Sequence, residues 1–344
     1  MSRSGEPALT VIAVTQDEGR TLRPIVAALT RQSIADRIQL VIVAPTASIS
    51  PHDLGLEPST LHSIEVVGIG QVRNRGRSAA AGVAKARAPI VALTENHCYP
   101  MPDWAEALLQ VHSEGPWAAV GPAVINANPE SALSVAMHAT GYGAFAPDMA
   151  AEDRPELPLH NSSYRTESLL AFGDRLPDLL ADERGLQRAL IDAGERMRFD
   201  PRPVKRHINE ATWKLLGGIA YCGGRRYGGY RCRDWSLIKR LAYAAAGPLL
   251  VLPIWRTARG KAARVASGAL PFAVSRVLVG WAAIHALGEV VSYLVGGSPL
   301  EFRNVESDEF MIRERLGGRR LTDPDIAALV ATLDRFPERP GVAA

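Results

Sequence analysis

Apolar runs and helical stripes alternate along the first third of the chain. Residues 8–14 form a short run without charge, as expected of a strand buried on both faces. Residues 21–32 follow with apolar side chains at the offsets that make one face of a helix. Strands that alternate with helices indicate an α/β fold with a doubly wound, mostly parallel sheet. The same pattern predicts further strands at 38–43, 63–67, 90–93 and 118–124, an Ala-rich helix after Val72, and a helix at 102–112.

The middle of the chain has a less regular pattern. Residues 126–159 contain several glycines and prolines, and their length suits a lid or an acceptor-side loop. Residues 160–164 predict a strand that presents polar groups, and residues 182–193 predict a helix. Asp182 and Glu183 stand in the first turn of that helix, where the helix dipole favours negative charge. Capping of the helix is therefore one interpretation of both carboxylates.

The last third of the chain is strongly apolar. Residues 241–255 carry no charge, and residues 265–300 are interrupted only by Arg276, His285 and Glu289. A membrane span needs about 20 apolar residues, and the basic residues on both sides of the first segment conflict with the positive-inside rule. The pattern predicts a C-terminal apolar helical hairpin that lies in, or dips into, the cytoplasmic leaflet. Two ordinary buried helices are the alternative.

Charge is distributed unevenly, although the formal net charge is only +3. Residues 196–264 carry 16 Lys or Arg against three acids, so this segment is expected to face nucleic acid or membrane headgroups. Three cysteines fit a reducing compartment, and the N-terminus lacks the apolar core of a signal peptide. We expect a catalytic part at residues 1–235 in the cytosol, membrane-associated helices at 236–300 and a charged tail at 301–344.

A polar cluster follows the strand predicted at residues 90–93. Glu95, Asn96 and His97 stand at the carboxyl end of this strand. Ligands of parallel α/β sheets bind in the crevice beyond the carboxyl ends of the strands. The cluster is therefore a candidate ligand site, and a polar loop without chemistry is the alternative.

Several short motifs follow each other in a fixed order. They are a helix ending in Gln32, the helix start Arg73-Asn74-x-Gly76, the cluster Glu95-Asn96-His97 before Pro102-Asp103-Trp104, the helix start Asp182-Glu183-x-x-Leu186-x-Arg188, and the later Gly194, Pro201 and His207. Their order and spacing resemble the family 2 glycosyltransferases. The resemblance covers roughly residues 8–235 and extends more loosely to about residue 300.

The resemblance implies a GT-A (Rossmann-like) domain that binds a nucleotide-sugar donor and inverts the sugar during transfer. A carboxylate removes the proton of the acceptor hydroxyl, and by position this base is Glu183. A divalent metal ion, Mn²⁺ or Mg²⁺, neutralises charge on the leaving diphosphate. Its implied ligands are Glu95 and His97, an oxygen–nitrogen pair that suits Mn²⁺ better. The implied donor-binding residues are Thr15, Asp17, Arg73, Asn74, Glu95, Asn96 and Asn161.

The sequence departs from the family pattern at two places. Residues 43–46 lack the two acids that usually end the second strand, and neutral Asn96 stands between Glu95 and His97. This indicates a divergent subgroup. The apolar segments resemble those of membrane-associated members, which implies a glycan or lipid-linked acceptor, envelope or exopolysaccharide synthesis, and the cytoplasmic face of the inner membrane.

Two other functions compete with sugar transfer. One is a catalytically degenerate relative that serves as a binding or scaffolding subunit, motivated by the missing acids. The other is nucleic-acid binding by the basic segment. Few aromatic residues interleave with that segment, and no nucleic-acid-binding module is present, so nucleic acid is not expected as a partner.

Overall fold

The computed structural model describes residues 5–17, 19–50, 52–55, 60–266, 270–296, 315–316 and 319–333. The chain forms two compact units, of which one comprises Met1–Ala123, Ala150–Arg206 and Leu321–Ala344 and the other Val124–Met149 and His207–Arg320. We call them the first and the second unit. The domain boundaries expected at residues 235 and 300 stay a prediction. Most of the charged tail expected at 301–344 lies outside the described residues.

A nine-stranded sheet provides the framework. Its strands are β1 (Leu9–Val14), β2 (Ile38–Ala44), β3 (Ser63–Gly68), β4 (Ile90–Thr94), β5 (Cys98–Pro100), β6 (Trp117–Asn126), β7 (Glu152–Asp153), β8 (Ser163–Arg165) and β9 (Arg196–His207). They lie in the order β3-β2-β1-β4-β8-β6-β9-β5, and β7 pairs with β9. The four strands β3, β2, β1 and β4 are parallel, whereas β8 runs antiparallel to both β4 and β6.

The described residues also form α-helices and a short β-hairpin. The helices are α1 (Arg23–Thr30), α2 (Arg75–Val83), α3 (Trp104–Ser113), α4 (Ala132–Gly141), α5 (Thr166–Leu170), α6 (Leu176–Ala181), α7 (Glu183–Asp192), α8 (Trp213–Arg231), α9 (Leu237–Ala245), α10 (Val251–Val265), α11 (Phe272–Val295) and α12 (Asp323–Thr332). The hairpin pairs β10 (Arg315–Leu316) with β11 (Arg319–Arg320).

The parallel strands are the uncharged runs of the sequence. Every residue of β1, β2 and β4 is buried, as expected of strands covered on both faces. Two buried polar side chains of β1 and β2 bond each other, since the Thr10 hydroxyl donates to the Gln39 side chain at 2.7 Å. The predicted α/β class with a mostly parallel sheet is confirmed. Because β1 and β4 are parallel neighbours, the loops that follow them leave the same edge of the sheet.

The second unit is helical. Its buried core is built mainly from small and aliphatic side chains of α4, α8, α10 and α11: Ala136, Ala139, Leu216, Ala258, Ala262, Val274 and Leu278. Residues 126–159 were expected to form a loop, but they contain α4. Ser131 is the N-cap of this helix, and its side chain accepts from the Ser134 N–H. The expectation of a loop was wrong there, because the small residues of α4 give little sign of helical periodicity.

The apolar C-terminal segments are helical, as predicted. Helix α11 has the length and composition of a membrane span, and the pair Leu237–Ala245 with Gly247–Val265 passes the same test as one element bent by 66°. Large apolar side chains are exposed on these helices and on the turn between α9 and α10: Leu237, Ile238, Leu241, Leu249, Leu252, Phe272, Val279, Leu287, Leu294 and Val295.

Candidate functional site

The loop after β1 holds the first two predicted donor-binding residues. The Thr15 hydroxyl donates to Asp17 Oδ1 at 2.6 Å. The Asp17 carboxylate also accepts from the backbone N–H groups of Gly19 and Thr21, at 2.8 and 3.2 Å. Asp17 therefore shapes the turn that leads into α1, a role that local structure alone explains.

The loop after β4 lies beside this turn. The Asn96 amide donates to the Thr21 hydroxyl at 3.2 Å, and its oxygen accepts from His97 Nδ1 at 2.9 Å. Because an amide oxygen can only accept, Nδ1 of His97 carries the hydrogen, and the neutral ring keeps its lone pair on Nε2. That nitrogen lies 3.7 Å from Glu95 Oε2. A histidine oriented in this way is prepared to bind a metal ion through Nε2.

Glu95 is the centre of the cluster, and its side chain is only 1% exposed. Arg75 Nη1 donates to Glu95 Oε1 at 2.7 Å, and the Asn161 amide donates to Oε2 at 2.8 Å. The carboxylate is thus charge-balanced and still presents Oε2 toward His97. One carboxylate oxygen and one imidazole nitrogen fit two positions of a Mn²⁺ shell, which accepts both donor types.

The start of α2 explains its motif by local structure. Asn74 is the N-cap and accepts from the Arg77 N–H at 2.7 Å, whereas Arg73 is exposed and donates to Gln71 at 2.8 Å. A Cβ on Gly76 would stand 1.9 Å from the Leu180 carbonyl oxygen, so only glycine lets α2 approach α6 this closely. Of this motif, the residue that reaches Glu95 is Arg75, at the position that the family pattern leaves variable.

Lys205 lies beneath the cluster and is fully buried. Its ammonium donates to the Thr94 hydroxyl at 2.9 Å, to Asn161 Oδ1 at 3.0 Å and to the Leu93 carbonyl at 3.4 Å. Burial lowers the pKa of Lys205, and the nearby carboxylates oppose this shift. By accepting from Lys205, the Asn161 oxygen orients the amide so that its N–H₂ points at Glu95. Nothing in the sequence distinguishes Lys205 from the other basic residues of β9.

Glu183, the predicted base, stands at the first position of α7 and is 3% exposed. The Tyr164 hydroxyl donates to Glu183 Oε1 at 2.7 Å. Burial and the Glu183 charge raise the pKa of Tyr164 well above its usual value, so this tyrosine stays a hydrogen-bond donor. The backbone N–H of His160 donates to Glu183 Oε2 at 2.5 Å, and His160 Nδ1 lies 3.0 Å from the same oxygen.

Most of the predicted site residues therefore form one connected region of the first unit. The links run from Thr15 and Asp17 through Thr21 to Asn96, His97, Glu95, Asn161 and, by the adjacent His160, to Glu183. Arg73 donates instead to Gln71, and Asn74 caps the helix that carries Arg75. The sequence did not predict Arg75, Lys205 or His160.

No protein-family model matches the chain, and no curated protein matches it either. Two solved structures are similar in fold. A crystal structure of GalNAc-T7 with UDP, GalNAc and Mn²⁺ is 14% identical over 59% of this chain and 43% of that chain, with a TM-score of 0.45. This chain thus spans less than half of GalNAc-T7. A crystal structure of S. aureus TarS 1-349 in complex with UDP is 12% identical over 88% of this chain and 91% of that chain, with a TM-score of 0.47.

Proposed function

We propose that this chain is a glycosyltransferase that moves a sugar, with inversion, from a nucleotide-sugar donor to an acceptor hydroxyl. The observation that carries the proposal is the network at the carboxyl ends of β1 and β4, where Arg75, Asn161 and His97 surround the buried carboxylate of Glu95. This edge of a parallel sheet is where α/β proteins bind nucleotides. The family 2 resemblance of the motifs that form the network points to the same reaction.

The nucleotide-sugar donor binds, in this proposal, along the loops after β1 and β4. Thr15, Asp17 and Asn96 shape these loops, and the exposed Arg73 supplies a positive charge for the diphosphate. A divalent ion held by Glu95 Oε2 and His97 Nε2 would supply a Lewis acid for the charge that develops on the leaving diphosphate. The mixed oxygen and nitrogen ligands favour Mn²⁺ over Mg²⁺.

The reaction also needs a base on the side of the sugar that the acceptor attacks. The carboxylate of Glu183 provides the negative charge that favours removal of the acceptor proton. Glu183 contacts His160, and the next residue, Asn161, contacts Glu95 at the proposed nucleotide-sugar site. The acceptor oxygen forms a bond to the anomeric carbon, while the bond from that carbon to the diphosphate oxygen breaks. One displacement of this kind inverts the anomeric configuration.

We further propose a membrane-associated role on the cytoplasmic face of the inner membrane, and the surface of the second unit supports the contact with a membrane. Exposed apolar side chains of α9 to α11 alternate with basic residues such as Lys239, Arg256 and Arg259. An apolar surface with basic residues binds anionic bilayers through burial of its apolar side chains and through attraction between its basic residues and the lipid headgroups. In this proposal the acceptor is a saccharide or a lipid-linked glycan of envelope or exopolysaccharide synthesis.

A screen of nucleotide sugars tests the transfer. The full chain, in mild detergent with Mn²⁺, is incubated with UDP-, GDP-, dTDP- and CDP-sugars, and nucleotide release is measured. We expect release with one donor class, lost in Glu95→Gln and kept in Glu65→Gln, whose partly exposed carboxylate lies on β3. Binding of a nucleotide sugar without release would favour the degenerate scaffolding relative. Failure to bind any of them would refute the proposal.

Flotation with vesicles tests the membrane association separately. We expect the chain to float with vesicles that contain anionic lipid, and Ile238→Asp together with Leu249→Asp to abolish flotation. Leu170→Asp is the matched control, because Leu170 is also exposed but belongs to the first unit. Equal flotation of all these variants would contradict the proposed membrane surface.

A further inference from the structure

The backbone of His160 is held in an unusual conformation. Its φ of 64° lies in the left-handed region, and no other described non-glycine residue shares a positive φ. Two contacts with α7 hold the segment: Glu183 accepts the His160 N–H, and the Gln187 amide bonds both the N–H and the carbonyl of Leu157. Conformations of this kind concentrate at functional sites, where the surrounding structure imposes them.

The imidazole of His160 is oriented by the same carboxylate. Its Nδ1 lies 3.0 Å from Glu183 Oε2. At this distance a lone pair on Nδ1 would be repelled by the carboxylate oxygen, so Nδ1 carries the hydrogen and the neutral ring has its lone pair on Nε2. That nitrogen makes no hydrogen bond to any residue in the described part of the chain. The carboxylate therefore fixes one tautomer and leaves a basic nitrogen available.

Exposure separates the two members of this pair. The His160 side chain is 20% exposed, whereas that of Glu183 is 1% exposed. The other Glu183 oxygen accepts from the buried Tyr164 hydroxyl at 2.7 Å. A group that takes a proton must come within hydrogen-bond reach of it. The partly exposed imidazole is accessible to a hydroxyl, whereas the carboxylate is enclosed by its own partners.

We propose that His160 Nε2, oriented by Glu183, takes the proton of the attacking hydroxyl; this rests on the proposed sugar transfer. As the hydroxyl oxygen bonds to the anomeric carbon, its proton moves to Nε2 and the electron pair of the broken bond leaves with the nucleotide diphosphate. The resulting imidazolium is stabilised by the Glu183 carboxylate. His160 is then the catalytic base, and Glu183, expected from the sequence to be that base, is a positioning residue.

Two further titratable groups lie near the pair of His160 and Glu183. Tyr164 faces Glu183 from β8, and the charge of Lys205 on β9 interacts with Glu183. Tyr164 remains a neutral hydrogen-bond donor because burial raises its pKa.

The test uses three variants of the pair and one control. His160→Asn keeps a residue that tolerates the left-handed backbone, His160→Gly also leaves room for added imidazole, and Glu183→Gln removes the orienting charge. His52→Asn changes an exposed histidine of the first unit as the control. Nucleotide release is measured with the nucleotide sugar that the wild type turns over, together with its dissociation constant.

We expect both His160 variants to slow release by about 100-fold or more, with binding of the nucleotide sugar changed less than about threefold. Added imidazole should restore His160→Gly at least tenfold over its own rate and leave Glu183→Gln unchanged. In Glu183→Gln the rate should fall while the dissociation constant of the nucleotide sugar changes less than about threefold, because the change affects the proton transfer and not the binding of the nucleotide sugar. A purely structural role for Glu183 would weaken binding together with the rate.

Three outcomes would overturn the inference, and they are distinguishable. If His160→Asn keeps the wild-type rate while Glu183→Gln loses it, Glu183 is itself the base and the proposed sugar transfer stands. If ¹⁵N NMR of the neutral ring finds the hydrogen on Nε2, the pair cannot act as described, whatever the rates. If the wild type releases no nucleotide from any donor, the proposed sugar transfer fails and the role of His160 fails with it.

Discussion

Helices α8 and α11 approach each other through glycine, and this contact makes a sharp prediction. A Cβ on Gly224 of α8 would stand 1.9 Å from the His285 carbonyl oxygen and 3.1 Å from the Glu289 nitrogen, both on α11. A Cβ on Gly218, in the same helix, would have no atom within 4 Å. The same substitution, glycine to alanine, therefore meets rigid backbone at one position and open space at the other.

The two variants should change the free energy of unfolding in opposite directions. Alanine is favoured over glycine inside a helix by about 1 kcal/mol, so Gly218→Ala should stabilise by roughly that amount. At Gly224 the new carbon must reach ordinary contact, which requires α8 and α11 to separate by roughly 1.5 Å and lose their packing. Overpacking of this kind costs about 1–3 kcal/mol, and the lost contacts add to it. We expect Gly224→Ala to destabilise by about 2 kcal/mol net, about 3 kcal/mol less stable than Gly218→Ala.

Hydrogen exchange of the α11 amides measures this difference directly. The two units need not unfold together, so a single melting temperature would mix them. Mass spectrometry of peptides from Phe272–Val295 reports the local opening equilibrium. A difference of about 3 kcal/mol corresponds to exchange roughly 100-fold faster in Gly224→Ala than in Gly218→Ala. Equal exchange in the two variants would refute the close approach of these helices.

Two further predictions concern buried ionisable groups of the first unit. Arg75→Met removes the cation that lies 2.7 Å from buried Glu95, and it should lower the free energy of unfolding by about 3 kcal/mol in urea titrations. Adding Glu95→Gln to this variant should recover part of the loss. Strict additivity of the two changes would contradict their coupling. Burial lowers the pKa of His112 to about 3, so between pH 6.5 and 3 the unfolded chain binds a proton that the folded chain does not. The free energy of unfolding should therefore fall with falling pH by up to about 1.4 kcal/mol per pH unit. In urea titrations at several pH values, His112→Gln should show a shallower fall than the wild type. Parallel curves of stability against pH for the two proteins would show that His112 is not buried as a neutral ring.

The sequence predicts the parallel half of the sheet well, because β1, β2 and β4 are uncharged runs that need no tertiary information. It does not predict α8, which contains six glycines that ordinarily disfavour a helix. The structure gives the reason for two of them. Gly224 and Gly228 face α11, where a Cβ on either would stand 2.8 Å or less from backbone atoms. Packing against α11 outweighs the low helix propensity, and packing is not visible in a single sequence.

The candidate site was predictable where its residues stand at strand ends. Glu95, Asn96 and His97 follow β4 directly, so the topology alone brings them to the edge of the sheet. Arg75 and Lys205 were not predictable, because each reaches the cluster by a side chain from another element of the fold. A basic residue on a helix or a strand is usually solvated, and only the fold shows that these two are paired.

His160 shows a different limit of sequence reasoning. A histidine in a polar turn carries no signal, and the left-handed backbone that orients it is not encoded by a glycine. Its significance comes from Glu183, which sequence reasoning chose for its acidity and its place at a helix start. The structure places that carboxylate at the candidate site but buries it, so its charge acts through the two side chains it contacts, His160 and Tyr164.

The arrangement of charges separates two tasks that the proposed reaction needs. Glu95 is balanced by Arg75, and Lys205 lies on the other side of Asn161, so the buried carboxylate does not depend on a metal ion for charge compensation. An ion that binds Glu95 Oε2 can therefore serve the diphosphate without being required for folding. In the proposal the proton is taken elsewhere, by the pair of His160 and Glu183. Because Asn161 and His160 are consecutive, one short turn links Glu95, proposed to hold the ion at the leaving diphosphate, to His160, proposed to take the proton of the acceptor hydroxyl.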